Sequence, residues 1–272
     1  MAHKVVLITG GSSGIGLATC QFLKEKGCIV YGTSRKANNG DVLNGINMLR
    51  LDLVDRQSIY EAVDFLLKKE GRIDVLVNNG GLGMAGAVED TSTEEIAQIF
   101  QTNVFGTLEC CRAVIPHMRN QGGGWIVSIS SIAGEFGLPF RGVYSASKGA
   151  LERFSETLRM ELSPFNIRVS HIQPGDVRTN INSNRLIAKA SNSPESPYYK
   201  PFQRMYNHIS QEVSTAQDPL NVAKLVWKII QKDRPKLRYP AATRLQRLSL
   251  SINRVLPEHI FQKLLLRRYP VK

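Results

Sequence analysis

The fold predicted from this sequence is α/β: a single domain with a doubly wound parallel sheet of about seven strands and helices on both faces. Three observations carry it. Short apolar runs recur along the chain, most of them without polar alternation, which suits strands covered on both sides. Stretches with apolar residues at helical spacing separate these runs, the rhythm of repeated βαβ units. Glycine, asparagine and serine pairs follow several of the runs, at the strand ends where open sheets of this kind hold ligands. A length of 272 residues fits one such domain and its core.

The first strand, 4–9, passes directly into Gly10-Gly11-Ser12-Ser13-Gly14-Ile15-Gly16. A helix over 15–26 follows, with Leu17, Ala18, Phe22 and Leu23 as its apolar side, and stops near Gly27. Strand, glycine turn and helix open a dinucleotide-binding βαβ unit, in which backbone N–H groups and the helix dipole receive a pyrophosphate. A tight turn without ligand is the other reading of the glycines alone; the strand before them and the helix after them favour the nucleotide. The second strand, 28–32, ends in Gly32-Thr33-Ser34-Arg35-Lys36, without an acid. A carboxylate at this point suits the ribose hydroxyls of NAD, whereas a 2′-phosphate is repelled by it and prefers arginine. NADP(H) is therefore expected, with Arg35 on the phosphate and Ser34 in place of the acid.

A third strand, 47–51, leads to Asp52-Leu53 and a helix over 56–70, and a fourth, 73–78, to Asn78-Asn79-Gly80-Gly81. A long helix, 93–119, carries Asn103; after Gly122-Gly123-Gly124 the strand 124–130 ends in Ser130-Ser131. The helix over 144–163 opens with Tyr144 and Lys148, the strand 167–173 runs into Pro174-Gly175, and a last strand lies near 236–239. A tyrosine and a lysine at i and i+4 share one helical face, so the ammonium can stabilise a phenolate that water yields only near pH ~10. Tyr144 is thereby an expected proton donor. His171 lies inside an apolar run and reads as a core histidine, and the other histidines lack partners at metal-ligand spacing, so no metal site is expected.

Taken in order, Thr9-Gly10-x-x-x-Gly14-Ile15-Gly16, Asp52-Leu53, Asn78-Asn79-Gly80-Gly81, Asn103-Val104-x-Gly106, Ser130-Ser131, Tyr144-x-x-x-Lys148 and Pro174-Gly175-x-Val177-x-Thr179 resemble the short-chain dehydrogenase/reductase family across residues 4–180. The glycine spacing departs from Gly-x-Gly-x-x-Gly, and Gly80 stands where that family usually has alanine. The resemblance implies a Rossmann fold and hydride exchange between a nicotinamide and a ketone or secondary alcohol, with Asn103, Ser131, Tyr144 and Lys148 as the catalytic set. Tyr144 would protonate the carbonyl oxygen, Ser131 would hydrogen-bond it, Lys148 would also hold the ribose hydroxyls, and Asn103 would kink its helix around a water. Gly10, Ser12, Ser13, Gly14, Ile15 and Gly16 would surround the pyrophosphate, Asp52 and Leu53 the adenine, and Asn79 and Gly80 the adenosine side. Pro174, Gly175, the Val177 backbone and the Thr179 hydroxyl would hold the nicotinamide end. A non-catalytic NADP-binding sensor or scaffold is the alternative, against which the complete catalytic set argues.

Residues 181–217 break the α/β rhythm: a turn-rich stretch around Pro194, Pro197 and Pro201 precedes Phe202, Met205, Tyr206 and Ile209 at helical spacing. By resemblance this is the substrate lid, and its apolar content predicts a lipophilic ketone or alcohol such as a steroid, retinoid or keto-sphingoid base. The Rossmann domain is read as 1–240 and a basic amphipathic extension as 241–272. From Lys232 onward eleven basic residues face two acids, so this end holds +9 of a formal net charge of +12. Its apolar faces either pack on the domain or meet an anionic membrane surface; nucleic acid is not expected. No run reaches the roughly 18 apolar residues of a membrane span and no signal-peptide core precedes the first strand, which predicts a cytoplasmic protein, with a peripheral membrane position left open. Cys20, Cys28, Cys110 and Cys111 read as buried free thiols. The resemblance further implies a homo-oligomer, dimer or tetramer.

Overall fold

A computed structural model describes residues 3–178, 185–214, 216–269 and 271. The strands are β1 (Val5–Ile8), β2 (Ile29–Ser34), β3 (Val42–Leu43), β4 (Ile46–Arg50), β5 (Val75–Asn78), β6 (Met84–Ala85), β7 (Gly124–Ile129), β8 (Ile167–Pro174), β9 (Leu186–Ile187) and β10 (Arg238–Ala241). The helices are α1 (Gly14–Glu25), α2 (Arg56–Glu70), α3 (Thr93–Phe100), α4 (Gly106–Asn120), α5 (Gly142–Glu161), α6 (Tyr199–Ser214), α7 (Leu220–Ile230), α8 (Arg244–Val255) and α9 (Glu258–Arg268).

Eight strands form one sheet in the order β10-β8-β7-β5-β1-β2-β4-β3, parallel throughout except for the terminal β3–β4 pair. The seven expected parallel strands are thus present, with the last at Arg238–Ala241. The eighth comes from a two-residue hairpin: Asn44 and Gly45 both take positive φ, 52° and 74°, the backbone that an Asn-Gly turn supplies.

Alternate residues of each strand enter opposite cores. Leu7, Tyr31, Leu49, Leu76, Ile126 and Val169 meet α2 and α4 through Ile59, Leu66, Val114 and Met118. Val6, Ile8, Val30, Met48, Val77 and Val127 meet α1 and α7 through Leu23, Val226 and Ile229 on the other face. The four cysteines are buried free thiols within these layers. Strand order reverses at β1, which opens a crevice beyond the carboxyl ends of β1, β2 and β5.

The helix expected over 93–119 is instead two helices joined by a π-helical turn, Gln101–Phe105. A Ser92/Glu95 capping box starts α3. At the other end Gly106 lies so close to Leu53 that a Cβ there would sit 2.2 Å from the Leu53 carbonyl oxygen. The 181–217 region yields β9 and α6, while residues 179–184 and 215 lie outside the described part. The basic C-terminal helices pack on the rest of the domain: Phe261 meets Phe136 edge to face at 5.0 Å, and Tyr269 and Val271 join a cluster of Ala85, Phe140, Phe202 and Met205. No helix among the described residues is long and apolar enough to cross a membrane.

Candidate active site

The crevice is a cleft of about 1160 Å³, and two stitched loops form its floor. Gly10 N donates to Thr33 Oγ1 at 3.2 Å and Gly11 N to the Thr33 carbonyl at 2.9 Å, which fixes the glycine loop to the end of β2. Thr9 Oγ1 accepts from the backbone N–H groups of Asn79 and Gly80, both at 2.9 Å, and Asn79 Nδ2 donates back to the Thr9 carbonyl at 2.9 Å. Gly10 and Gly14 adopt positive φ, 65° and 54°. At Gly16 a Cβ would fall 2.1 Å from the Gly10 carbonyl oxygen and 2.5 Å from Asn79 Nδ2. The loop therefore presents backbone, not side chains, to the mouth of α1, which is a cradle for phosphate.

Gly10, Ser12, Ser13, Gly14 and Ile15 line this end, followed by Ser34 and Arg35 beyond β2, Asp52 and Leu53 beyond β4, and Asn79 and Gly80 beyond β5. Pro174, Gly175 and Val177 line it beyond β8, and Thr179 lies outside the described residues. Gly16 stands behind the loop. Thr9 and Thr33, which tie the loops together, are functional supports that sequence reasoning passed over; a hydroxyl at the end of an apolar strand was the available signal.

At the opposite end Ser131, Tyr144 and Lys148 converge on the cleft. Ser131 caps a short 3₁₀ turn, accepting from Ala133 N at 3.1 Å, and its hydroxyl is near enough to the Tyr144 phenol to stabilise the phenolate. Lys148, 6% exposed, donates to the Ile129 carbonyl at 2.9 Å and lies 5.9 Å from the centre of the Tyr144 ring. Asn103 sits one layer back in the π turn. Its Oδ1 accepts from Leu82 N at 2.7 Å, and its Nδ2 donates to the Leu82 carbonyl at 2.9 Å and to Ser147 Oγ at 3.1 Å. Ser147 in turn donates to the Tyr144 carbonyl at 2.8 Å, so Asn103 joins the cleft wall to α5.

Burial dominates the electrostatics. It pulls the Lys148 ammonium down to about 8, opposed by the charge of Glu152 one turn further along α5. It also pushes the Tyr144 phenol above its ordinary value, and the influences that draw it back are the Ser131 hydroxyl and the charges of Arg141 and Arg185. The expected lowering of the phenol by its i+4 lysine is corrected on this point. The ammonium is held by the Ile129 carbonyl, and the loss of water from the phenol outweighs the helical neighbour.

A buried polar network backs the site. Ser130 Oγ donates to Glu152 at 2.7 Å, and Gln173 Nε2 donates to both Glu152 oxygens at 3.0 Å. His171, fully buried between these strands, is held near 4 by burial and the charge of Arg238, so it is a neutral core histidine at physiological pH.

A parallel sheet with a glycine-lined phosphate cradle at its switch point and a Ser-Tyr-Lys cluster at the same crevice defines a nicotinamide-type oxidoreductase. A family model described as short chain dehydrogenase matches residues 4–189. The chain is 38% identical over 272 residues to a 3-ketodihydrosphingosine reductase of Bacteroides thetaiotaomicron, covering 100% of both chains. It is 35% identical to human 17-beta-hydroxysteroid dehydrogenase type 1 over 88% of its own length and 77% of that protein. A short-chain dehydrogenase structure from Streptomyces avermitilis superposes with a TM-score of 0.81 at 30% identity, covering 99% of this chain and 96% of that one. The protein belongs to the short-chain dehydrogenase/reductase family, whose members bind NAD(H) or NADP(H).

Proposed function

We propose that the protein is an NADP(H)-dependent oxidoreductase that reduces the ketone of a lipophilic molecule, or oxidises the matching secondary alcohol. One observation carries this reading: a single continuous cleft with Ser34, Arg35 and Lys36 at one extremity and Ser131, Tyr144 and Lys148 at the other. NADPH fits the first end. The glycine cradle has room only for backbone, and the β2 end offers a guanidinium and a hydroxyl to a 2′-phosphate with no carboxylate to repel it. Gly10, Ser12, Ser13, Gly14 and Ile15 would hold the pyrophosphate, with Gly16 letting the loop close behind them; Asp52 and Leu53 would meet the adenine, Asn79 and Gly80 the adenosine, and Pro174, Gly175 and Val177 the nicotinamide end, with Thr179 proposed beside them from the sequence motif.

When bound, NADPH supplies the hydride that reaches the carbonyl carbon. The Tyr144 hydroxyl gives its proton to the carbonyl oxygen as charge develops there, and the Ser131 hydroxyl hydrogen-bonds the same atom. Lys148, with a pKa of about 8, keeps a positive charge beside the resulting phenolate and hands protons on near neutral pH. Asn103 acts as a positioning residue, holding the wall at Leu82 and α5 through Ser147. In the oxidative direction the same groups run in reverse.

A lipophilic substrate is supported by the apolar wall of Leu82, Met84 and Leu186, by the aromatic lid cluster, and by the names of the relatives above. Leu245, Leu248 and Val255 stand 62%, 52% and 82% exposed on α8 beside Arg244 and Arg247, a surface suited to anionic lipid. Exposed Phe154 and Met160 on α5 suit a second copy of the chain. The test is a panel of steroid, long-chain and sugar ketones, and their alcohols, offered with NADPH, NADH and the oxidised forms. Turnover confined to apolar carbonyls with NADPH or their alcohols with NADP⁺ is expected; equal turnover of polar sugars, or preference for NADH, overturns the corresponding half of the proposal.

A further inference from the structure

The substrate end of the cleft holds two guanidiniums for which the catalytic cycle has no use. Arg141 immediately precedes α5 and stands three residues before Tyr144; Arg185 immediately precedes β9, which is anchored by its pairing with β6 and by Leu186 N donating to the Gly83 carbonyl at 2.9 Å. Both line the cleft with Tyr144. Arg185 Nη1 is buried without a hydrogen-bond partner, and neither arginine has an ion pair among the described residues. Three acids share the cleft, Asp52, Glu94 and Asp176, and the charge of Asp176 opposes only part of the burial of Arg185. The Asp176 carboxylate accepts from Gln246 Nε2 at 2.7 Å.

A guanidinium carries five donors and stays charged at any physiological pH, so a buried donor without an acceptor is costly and a second like charge adds to the cost. Burial first and Arg141 second hold Arg185 below the ordinary arginine value. An anion lying between the two guanidiniums removes both penalties and forms short, charge-assisted hydrogen bonds.

We propose that Arg141 and Arg185 form an anion-binding subsite next to Tyr144, so that the lipophilic substrate bears a carboxylate or phosphate near its reacting carbon. This rests on the substrate end assigned above and narrows the substrate class to acidic lipids. A keto-sphingoid base, one of the substrates expected from sequence, is disfavoured at the same place, because its ammonium meets two like charges; tighter binding of decylammonium than of decanol would therefore overturn the subsite.

The experiment is calorimetric titration of the full chain, saturated with NADPH, with decanoate, decyl phosphate, decanol and decylammonium. Decanoate or decyl phosphate is expected to bind roughly 10- to 100-fold more tightly than decanol, the range of a charge-assisted hydrogen bond. Whichever of the two binds tighter identifies the source of the negative charge. Arg185→Gln and Arg141→Gln should each reduce that preference about tenfold, and Arg185→Lys should keep part of it. Equal binding of decanoate, decyl phosphate and decanol by the wild-type protein overturns the proposal. So does a variant that weakens NADPH binding and leaves the preference intact, for the arginines then serve the cofactor. The titration needs no turnover, so a failure of the ketone reductase reading appears separately, in the substrate panel.

Discussion

Replacing Lys148 by methionine should make the protein more stable while removing its proposed chemistry. The ammonium is buried in the wall of the cleft, and its pKa falls from 10.5 to about 8. At about 1.36 kcal/mol per pH unit, that displacement costs the folded state roughly 3 kcal/mol at neutral pH. Methionine fills the same volume without charge but gives up the charge-assisted hydrogen bond to the Ile129 carbonyl, worth about 2 kcal/mol, which leaves a gain of roughly 1 kcal/mol. For a domain of this size the midpoint should rise by roughly 2–4 °C. The sign with pH follows from the depressed value. Below pH 8 the folded and unfolded forms both carry the proton and the folded form bears the full cost. Between pH 8 and 10.5 the folded form has released a proton that the unfolded chain retains, so wild-type stability climbs relative to Lys148→Met. Scanning calorimetry of both proteins at pH 7 and pH 9.5, without nucleotide, measures this. A variant less stable than wild type at pH 7, or a gap that does not narrow at pH 9.5, refutes the reasoning.

Arg35→Asp should lower the preference for NADPH over NADH by roughly 100-fold, because a carboxylate replaces the group offered to the 2′-phosphate; the ratio of kcat/KM values for the two coenzymes reads it. Gly16→Ala should abolish nucleotide binding, since its Cβ falls 2.1 Å from the Gly10 carbonyl oxygen and the loop must open; fluorescence titration with NADPH should show no saturable binding, and wild-type affinity would refute the cradle. Serine at Leu245, Leu248 and Val255 together should remove sedimentation with anionic liposomes at unchanged thermal stability, because all three are exposed. Sedimentation equal to wild type would exclude α8 as the lipid-facing surface.

The parallel core was readable because strands buried on both faces are written as uninterrupted apolar runs such as Val5–Ile8 and Val75–Asn78. The nucleotide end was readable because phosphate binding uses backbone, and backbone access is written as glycine. Three features escaped for physical reasons. The β3–β4 hairpin has an Asn44-Gly45 turn signal but a strand of only Val42–Leu43, too short for periodicity to register. The π turn interrupts an apolar pattern that is continuous in sequence; a kink at Asn103 was legible through the family resemblance and falls inside Gln101–Phe105, but its π-helical form and the close contact of Gly106 with Leu53 were not. Glu152, one turn beyond Lys148, reads as a solvated helix charge, yet it is fully buried by hydrogen bonds from Ser130 and Gln173, residues of other elements. The Tyr144–Lys148 face was legible, but the direction of the phenol's pKa was not, since desolvation depends on everything packed around the ring.

In the proposed reaction the Tyr144 hydroxyl is the proton donor beside a nicotinamide bound in this cleft. Single-turnover reduction of an apolar ketone by NADPH-loaded Tyr144→Phe, followed with the NADPH dissociation constant of the same protein, tests it most directly. A loss of rate of at least about 100-fold with nucleotide affinity within about twofold of wild type is expected. Hydride transfer at the wild-type rate would contradict the account.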